Sequence, residues 1–245
     1  MSPILKRLPK AVSLTLKPGD YLGSLVLTHD HLQANSYDAI LCVGDRIEMT
    51  AAAFAAFHNN VPIIHYFAGV KNIITTLDDI NRHCITLWSD MQLVESKRCK
   101  RNVKKLCKNI NKKANCHVVG ITHLDDLILD YSKVPETPYN LILYNPTTKQ
   151  DERVVYIGAN EDDEWYKNLP RSQFLGLLSR ANKFYSNSSA VVYEAPYFLG
   201  KSHIITIGKR NKKRTKLRKL KRGAQNIAEI CDSDSREVLF EKIPR

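Results

Sequence analysis

The chain has 245 residues, with 37 Lys and Arg against 25 Asp and Glu, a formal net charge of +12. That length supports one large globular domain or two small ones. A content of 43% hydrophobic and 25% charged residues excludes a disordered chain, a collagen-like fibre and a disulfide-stapled miniprotein.

In chain order the predicted strands are Asp38–Val43, Val61–Tyr66, Met91–Glu95, Cys116–Gly120, Asn140–Tyr144, Val154–Ile157, Lys183–Tyr185 and His203–Ile207. Most are short, apolar and non-alternating, as expected of strands covered on both faces. Between them lie the predicted helices Ile47–His58, Asp78–Ser89, Lys97–Ile110, Arg171–Ala181 and Ser189–Leu199. Strands alternating with helices imply βαβ units and parallel sheets. The polar stretch Asn109–Asn115 is the expected boundary, giving an N-terminal α/β domain over 1–112 and a C-terminal one over 113–245. Apolar runs such as Ala51–Phe57 are far shorter than the roughly 18 residues of a membrane span. The first fourteen residues are broken by Lys6, Arg7, Pro9 and Lys10, so no signal-peptide core is read there and a cytoplasmic location is expected.

The positive charge is concentrated. Between Lys209 and Arg222 ten of fourteen residues are Lys or Arg and none is acidic; outside that run basic residues exceed acidic ones by only two. A second basic stretch runs from Lys97 to Lys113. Single-sign blocks point to nucleic acid, phosphate or another acidic partner, against the alternative of a solvated loop, and no aromatic residue is interleaved in 209–222 for base stacking. The six cysteines (Cys42, Cys84, Cys99, Cys107, Cys116 and Cys231) include no C-x-x-C pair, so a zinc knuckle or dithiol motif is unsupported. His29 and His31, two apart, point to different sides of a helix, and no metal site is expected.

Ligands of open α/β folds bind beyond the carboxyl ends of the strands. The segments there are Gly44-Asp45-Arg46, Phe67-Ala68-Gly69, Asn145-Pro146-Thr147-Thr148, Ser186-Asn187-Ser188-Ser189 and Gly208-Lys209-Arg210. Ser188 and Ser189 lie at the start of a predicted helix, whose free N–H groups attract an anion or are met by a serine cap. Glu194 lies about one and a half turns further on, placed to accept hydrogen bonds from ribose hydroxyls.

These segments resemble the hydrolysing UDP-N-acetylglucosamine 2-epimerases. The run from Ala39 to Val70 (AILCVGDRIEMTAAAFAAFHNNVPIIHYFAGV) is similar to that family's strand, GDR-x-E, Ala-rich helix, strand and H-x-x-GG-E. DDINRHCITLWSD resembles its D-x-x-I-R-H-A-I-T-K-x-S-H, and LILYNPTT its strand ending in H-P-x-T. SNSSAVVYEAPYFLGKSHIITIGKRNKKR is similar to GNSS…EAP-x-x-G-x-P…IG-x-R-x-x-x-R. The resemblance covers roughly residues 38–214 in the family's order. It implies a GT-B-like fold of two Rossmann-like parallel-sheet domains facing a cleft, the N-terminal one abbreviated, and a reaction without metal or redox cofactor. A base removes the proton at sugar C2, UDP leaves by elimination, and water adds to the glycal. Carried over, Asp45 and Asp78 are the catalytic carboxylates, with Arg82 and His83 retained beside them. Ser188 and Ser189 hold the diphosphate, Glu194 the ribose, and Arg210 adds charge near the phosphates. Two positions depart: the glutamate of the GG-E motif falls on Val70, and the histidine of H-P-x-T on Asn145, neither of which titrates. The expected function is a divergent 2-epimerase that binds a UDP-sugar, with classical epimerisation weakened. The alternatives are a GT-B glycosyltransferase with an acidic acceptor and a non-catalytic nucleotide-sugar-binding protein. A homo-oligomer is open.

Overall fold

The computed structural model describes residues 5–8, 11–71, 75–122, 124–145, 154–158, 164–166, 168–209, 211 and 223–232. They fall into two compact units. The first comprises the described residues of Met1–Lys71, Thr75–Thr122 and Leu220–Arg245; the second comprises those of His123–Lys219.

The first unit is built on four parallel strands in the order β1 (Ile40–Val43), β2 (Ile63–Tyr66), β3 (Met91–Val94) and β4 (Cys116–Val118). Every residue of β2 and β3 is buried, the pattern of a sheet covered on both faces. Ahead of it runs α1 (Tyr21–Ala34), capped by Asp20, whose carboxylate accepts the Gly23 N–H at 2.8 Å. Strand periodicity had no purchase there, and this helix is absent from the sequence expectation. It carries His29 and His31; His31 hydrogen-bonds the Tyr37 hydroxyl at 2.6 Å and His29 the Asn59 amide at 2.9 Å. Then come α2 (Ile47–His58), α3 (Leu77–Trp88) and α4 (Lys97–Lys108). In α2 the alanines at 51, 52, 53, 55 and 56 are all buried. Their small side chains let α1 and the sheet approach on different sides without a wide apolar stripe.

The boundary falls later than residue 112 because β4 pairs with β3 in register Gln92↔Cys116 to Val94↔Val118 and so completes the first sheet. A further helix, α8 (Gly223–Asp232), also returns to this unit: Ala224 and Ile227 pack on Ile64, Tyr66, Met91 and Leu93. Asn226 ties it to the Val119 carbonyl at 2.6 Å.

The second unit holds five strands ordered β7-β6-β5-β8-β9: β5 (Asn140–Tyr144), β6 (Val154–Gly158), β7 (Glu164–Tyr166), β8 (Lys183–Ser186) and β9 (Ile204–Thr206). The β5-β8-β9 half is parallel, as expected, but β5, β6 and β7 pair antiparallel. The connection from β5 to β6 is too short for a crossover helix, which a parallel pairing requires. Helix α5 (Arg171–Arg180) buries Leu175, Leu177 and Leu178. The predicted helix 189–199 is two pieces, α6 (Ala190–Tyr193) and α7 (Ala195–Phe198). Pro196 explains the break, since it has no N–H to donate to the carbonyl of Val192 and its ring crowds that group.

Candidate functional site

In the first unit the chain leaves β1 through Gly44, whose φ of +92° is open to glycine and strained for other residues. This turn presents the Gly44 carbonyl to His65 Nε2 at 3.0 Å and delivers Asp45 to Arg82. Arg82, from the second turn of α3, is 4% exposed and is held between two carboxylates: Nη2 donates to Asp45 Oδ2, and Nη1 to Asp79 Oδ1 at 2.5 Å. Nη1 also reaches the Val70 carbonyl at 3.0 Å. Asp79 is fixed from the other side by a capping box: Oδ2 accepts from the Thr76 N–H and hydroxyl, both at 3.1 Å, while the Thr76 oxygen accepts the Asp79 N–H. The result is a guanidinium locked in a buried site, with one carboxylate, Asp45, a quarter exposed.

His65 is wholly buried, and desolvation lowers its pKa to about 4, so the ring is neutral near pH 7. The Gly44 carbonyl can only accept, so Nε2 carries the proton. Nδ1 lies 3.1 Å from the Thr86 hydroxyl oxygen, which stands 2.7 Å from the Arg82 carbonyl, so the one hydroxyl proton is shared between these two acceptors. His65 therefore links the Asp45 turn to the helix that carries Arg82. His83 is half-buried; burial lowers its pKa, and the charges of Lys71 and Arg82 act in the same direction.

Of the residues expected in this half, Asp45 and Arg82 are brought into contact and His83 lies on the same helix. Asp78 is exposed on the first turn of α3, and its neighbour Asp79 occupies the buried position against Arg82. Asp79 and His65 were missed. The Thr76-x-x-Asp79 spacing of a capping box, followed three residues later by Arg82, was the available signal. Glu48 was missed too. Burial pushes its carboxyl up, but N–H groups of its own backbone and of Gly19, with the Arg46 charge, bring it below the usual range.

In the second unit β8 ends at Ser186, whose hydroxyl donates to the Leu143 carbonyl at 2.5 Å and accepts the Ser188 N–H at 2.9 Å. The Ser188 hydroxyl accepts the Ala190 N–H at 3.3 Å, acting as a local cap. Ser189 makes no such cap bond. Asn187 clasps the main chain of Asn145, accepting its N–H at 2.8 Å and donating to its carbonyl at 2.7 Å. Asn211, buried, donates to the carbonyls of Asn187 and Ser188 at 3.0 and 2.9 Å. Glu194, at the break between α6 and α7, is buried and accepts from Arg171 Nη1 at 3.0 Å. Thus Asn145 and Ser188 share one hydrogen-bonded loop cluster, Ser189 follows at the start of α6, and Glu194 lies beyond that short helix. Asn187 lies in the expected segment, whereas Arg171 and Asn211 were not expected, and only the fold reveals their contacts. Arg210, Pro146, Thr147, Thr148 and the run from Lys212 to Arg222 lie outside the described residues.

A family model described as UDP-N-acetylglucosamine 2-epimerase matches residues 18–157, more than half of the chain. The chain belongs to the UDP-N-acetylglucosamine 2-epimerase family. A UDP-N,N'-diacetylbacillosamine 2-epimerase (hydrolyzing) of Legionella pneumophila is 23% identical over 225 residues, covering 73% of this chain and 58% of that protein. The polysialic acid biosynthesis protein P7 of Escherichia coli is 24% identical over 232 residues, 76% of this chain and 59% of its own length. The chain thus spans about three-fifths of the length of these relatives. Among solved structures, an S. aureus MnaA–UDP co-structure superposes with a TM-score of 0.65 at 14% identity, over 97% of this chain and 79% of that one. A UDP-N-acetylglucosamine 2-epimerase structure from Listeria monocytogenes gives 0.68 at 13% identity, over 93% and 84%. The fold is therefore GT-B-like, as the resemblance implied, with a mixed rather than wholly parallel second sheet.

Proposed function

We propose that this family member binds a UDP-sugar and acts on it with a reduced set of proton-transfer groups, so that hydrolytic 2-epimerisation is slow. The observation that carries this is the Asp45–Arg82–Asp79 cluster at the carboxyl end of a parallel strand. A fixed, buried cation holds a partly exposed carboxylate where an α/β fold binds its ligand. In this reading Asp45 accepts or returns the proton at sugar C2, Arg82 fixes its orientation, and Asp78, exposed on the adjoining turn, and His83 are the further ionisable groups. Asp79, tied to Thr76 and Arg82, positions the guanidinium and moves no proton.

Ser188, Ser189 and Arg210 are proposed for the diphosphate and Glu194 for the ribose, with Arg171 setting the orientation of Glu194. Asn145 offers an amide where the family motif has a histidine. It can hydrogen-bond a leaving oxygen but cannot protonate it.

The experiment is incubation with UDP-N-acetylglucosamine, with and without an acceptor, following UDP release and the identity of the sugar, beside a thermal melt with UDP. UDP at ~100 times its dissociation constant adds about 2.7 kcal/mol, or about 5–10 °C for a chain of this size. No rise in melting temperature with millimolar UDP or UDP-sugar sinks the nucleotide-sugar reading. Binding without release identifies a non-catalytic binder, and release only with an acceptor a glycosyltransferase.

A further inference from the structure

Helix α4 carries Lys97, Arg98, Lys100, Arg101, Lys104, Lys105 and Lys108 and no acidic residue. Its inward side is set by Cys99, Val103 and Cys107, which pack with Ala68, Val70, Val94 and Cys116. The helix is also pinned to the preceding loop: Asn102 donates to the Gly69 carbonyl at 2.8 Å, and a Cβ at Gly69 would stand 2.4 Å from the Cys99 carbonyl oxygen. With that side fixed, helical geometry lines up Lys97, Arg101, Lys104 and Lys108 on the opposite side. All four are exposed. They form a straight ridge about 16 Å long, flanked by Arg98 and Lys105. None of the six has an ion pair among the described residues. Lys112, beyond the helix, is spent on the carbonyls of Leu87 and Ser89 at 2.7 and 2.8 Å.

This arrangement works against the helix. Lys97–Arg101, Lys100–Lys104, Arg101–Lys105 and Lys104–Lys108 are like-charge pairs four residues apart, each unfavourable. Lys97 and Arg98 stand in the first turn, where the helix dipole disfavours cations. Local stability does not explain such a pattern; an external polyanion does. The ridge offers no aromatic or aliphatic anchor of the kind that centres protein interfaces. Its apolar side is already buried in the core, so it has none to insert into a lipid surface. What remains is regularly spaced charge on a rigid rod, which matches the regularly spaced phosphates of a nucleic-acid duplex. We propose that the α4 ridge is a docking surface for the phosphate backbone of double-stranded nucleic acid, without base readout.

The test measures anisotropy of a fluorescently labelled DNA duplex, and separately an RNA duplex, from about 50 to 200 mM salt. The parent protein is compared with Lys97→Gln/Arg101→Gln/Lys104→Gln/Lys108→Gln. Loss of four phosphate contacts should reduce the slope of log K against log salt by about 3.6. The melting temperature should hold or rise, because repulsion is relieved. A charge-preserving control, Arg101→Lys with Lys104→Arg, should bind like the parent. A milder pair, Lys104→Gln/Lys108→Gln, should lower the slope by about 1.8 and reads the effect should the fourfold variant fold poorly. An unchanged slope in the neutralised variants overturns the proposal. So does binding to phosphatidylserine vesicles but not to duplex, or a loss seen only when Lys212, Lys213, Arg214, Lys216, Arg218 and Lys219 are neutralised instead.

Discussion

Replacing Arg82 by methionine tests whether the Asp45–Arg82–Asp79 cluster is a charge-balanced core feature. Methionine keeps much of the side-chain length and removes the guanidinium. Two carboxylates and the Val70 carbonyl then lose their donor. Asp45, 25% exposed, can turn to water, but Asp79, 6% exposed, keeps its bonds to Thr76 and loses the guanidinium that balances its charge. Removing one partner of a buried ion pair typically costs about 3–5 kcal/mol. At 2–4 °C per kcal/mol for a chain of this size, the melting temperature should fall by roughly 6–20 °C. The diagnostic is the double variant Arg82→Met/Asp79→Asn. If the cost comes from the stranded Asp79 carboxylate, a neutral amide that still bonds Thr76 should recover part of it, a coupling a double-mutant cycle reads directly. Urea denaturation of the four proteins supplies the numbers. A single variant that loses under about 1 kcal/mol, in the range of an exposed pair, would refute the reasoning, as would a double variant no more stable than Arg82→Met.

His65 should impose an acid-side loss of stability. Its folded pKa, lowered by burial to about 4, lies below the ordinary imidazole value of 6.5, so the unfolded chain binds more protons between those values. The stabilisation is therefore complete above roughly pH 6.5 and declines by about 3 kcal/mol as the pH falls to 4; His65→Gln should flatten that slope, and equal pH profiles for both proteins would count against it. Val70→Glu should destabilise the first unit, because residue 70 is 5% exposed and packs with Ala68, Val94, Cys99 and Val103. If it melts lower yet, combined with Asn145→His, releases more UDP from UDP-N-acetylglucosamine, by the 10²-fold order of one acid–base group, the missing titrating groups explain the slow reaction; a folded, UDP-binding double variant without that gain would show that they do not.

The strands β1 to β6, β8 and β9 were legible because short apolar runs end in glycine or polar residues, and α2 to α5 because their inward residues recur at helical spacing. The antiparallel hairpin of the second sheet was not, since Glu164–Tyr166 is three residues long and its pairing is set by the length of the connection, not by pattern. Helix α1 escaped because its exposed Leu22 and Val26 and buried Ser24 and Thr28 invert the usual amphipathic order. Helix α8 was hidden behind the basic run, which drew attention to charge and away from the Ala224 and Ile227 contacts that return it to the first sheet. In the site, Asp45 and Arg82 were readable from motif order, whereas the choice between adjacent Asp78 and Asp79 turns on which one the helix start points inward, a matter of capping geometry.

The same geometry bears on why a valine stands at position 70. The Val70 carbonyl already receives Arg82, and that guanidinium already holds two carboxylates. A glutamate at 70 would carry a carboxylate into the apolar cluster where the Val70 side chain lies, and burial there disfavours the ionised form. Valine instead joins the apolar contact with Val94, Cys99 and Val103, which seats the loop on α4. Gly69 fits the same picture, since its missing Cβ is what allows the Cys99 carbonyl so close. At position 70 core contact thus stands where the resemblance places a titrating group. Asp45 is left as the partly exposed carboxylate of the cluster, beside a guanidinium whose other carboxylate is buried.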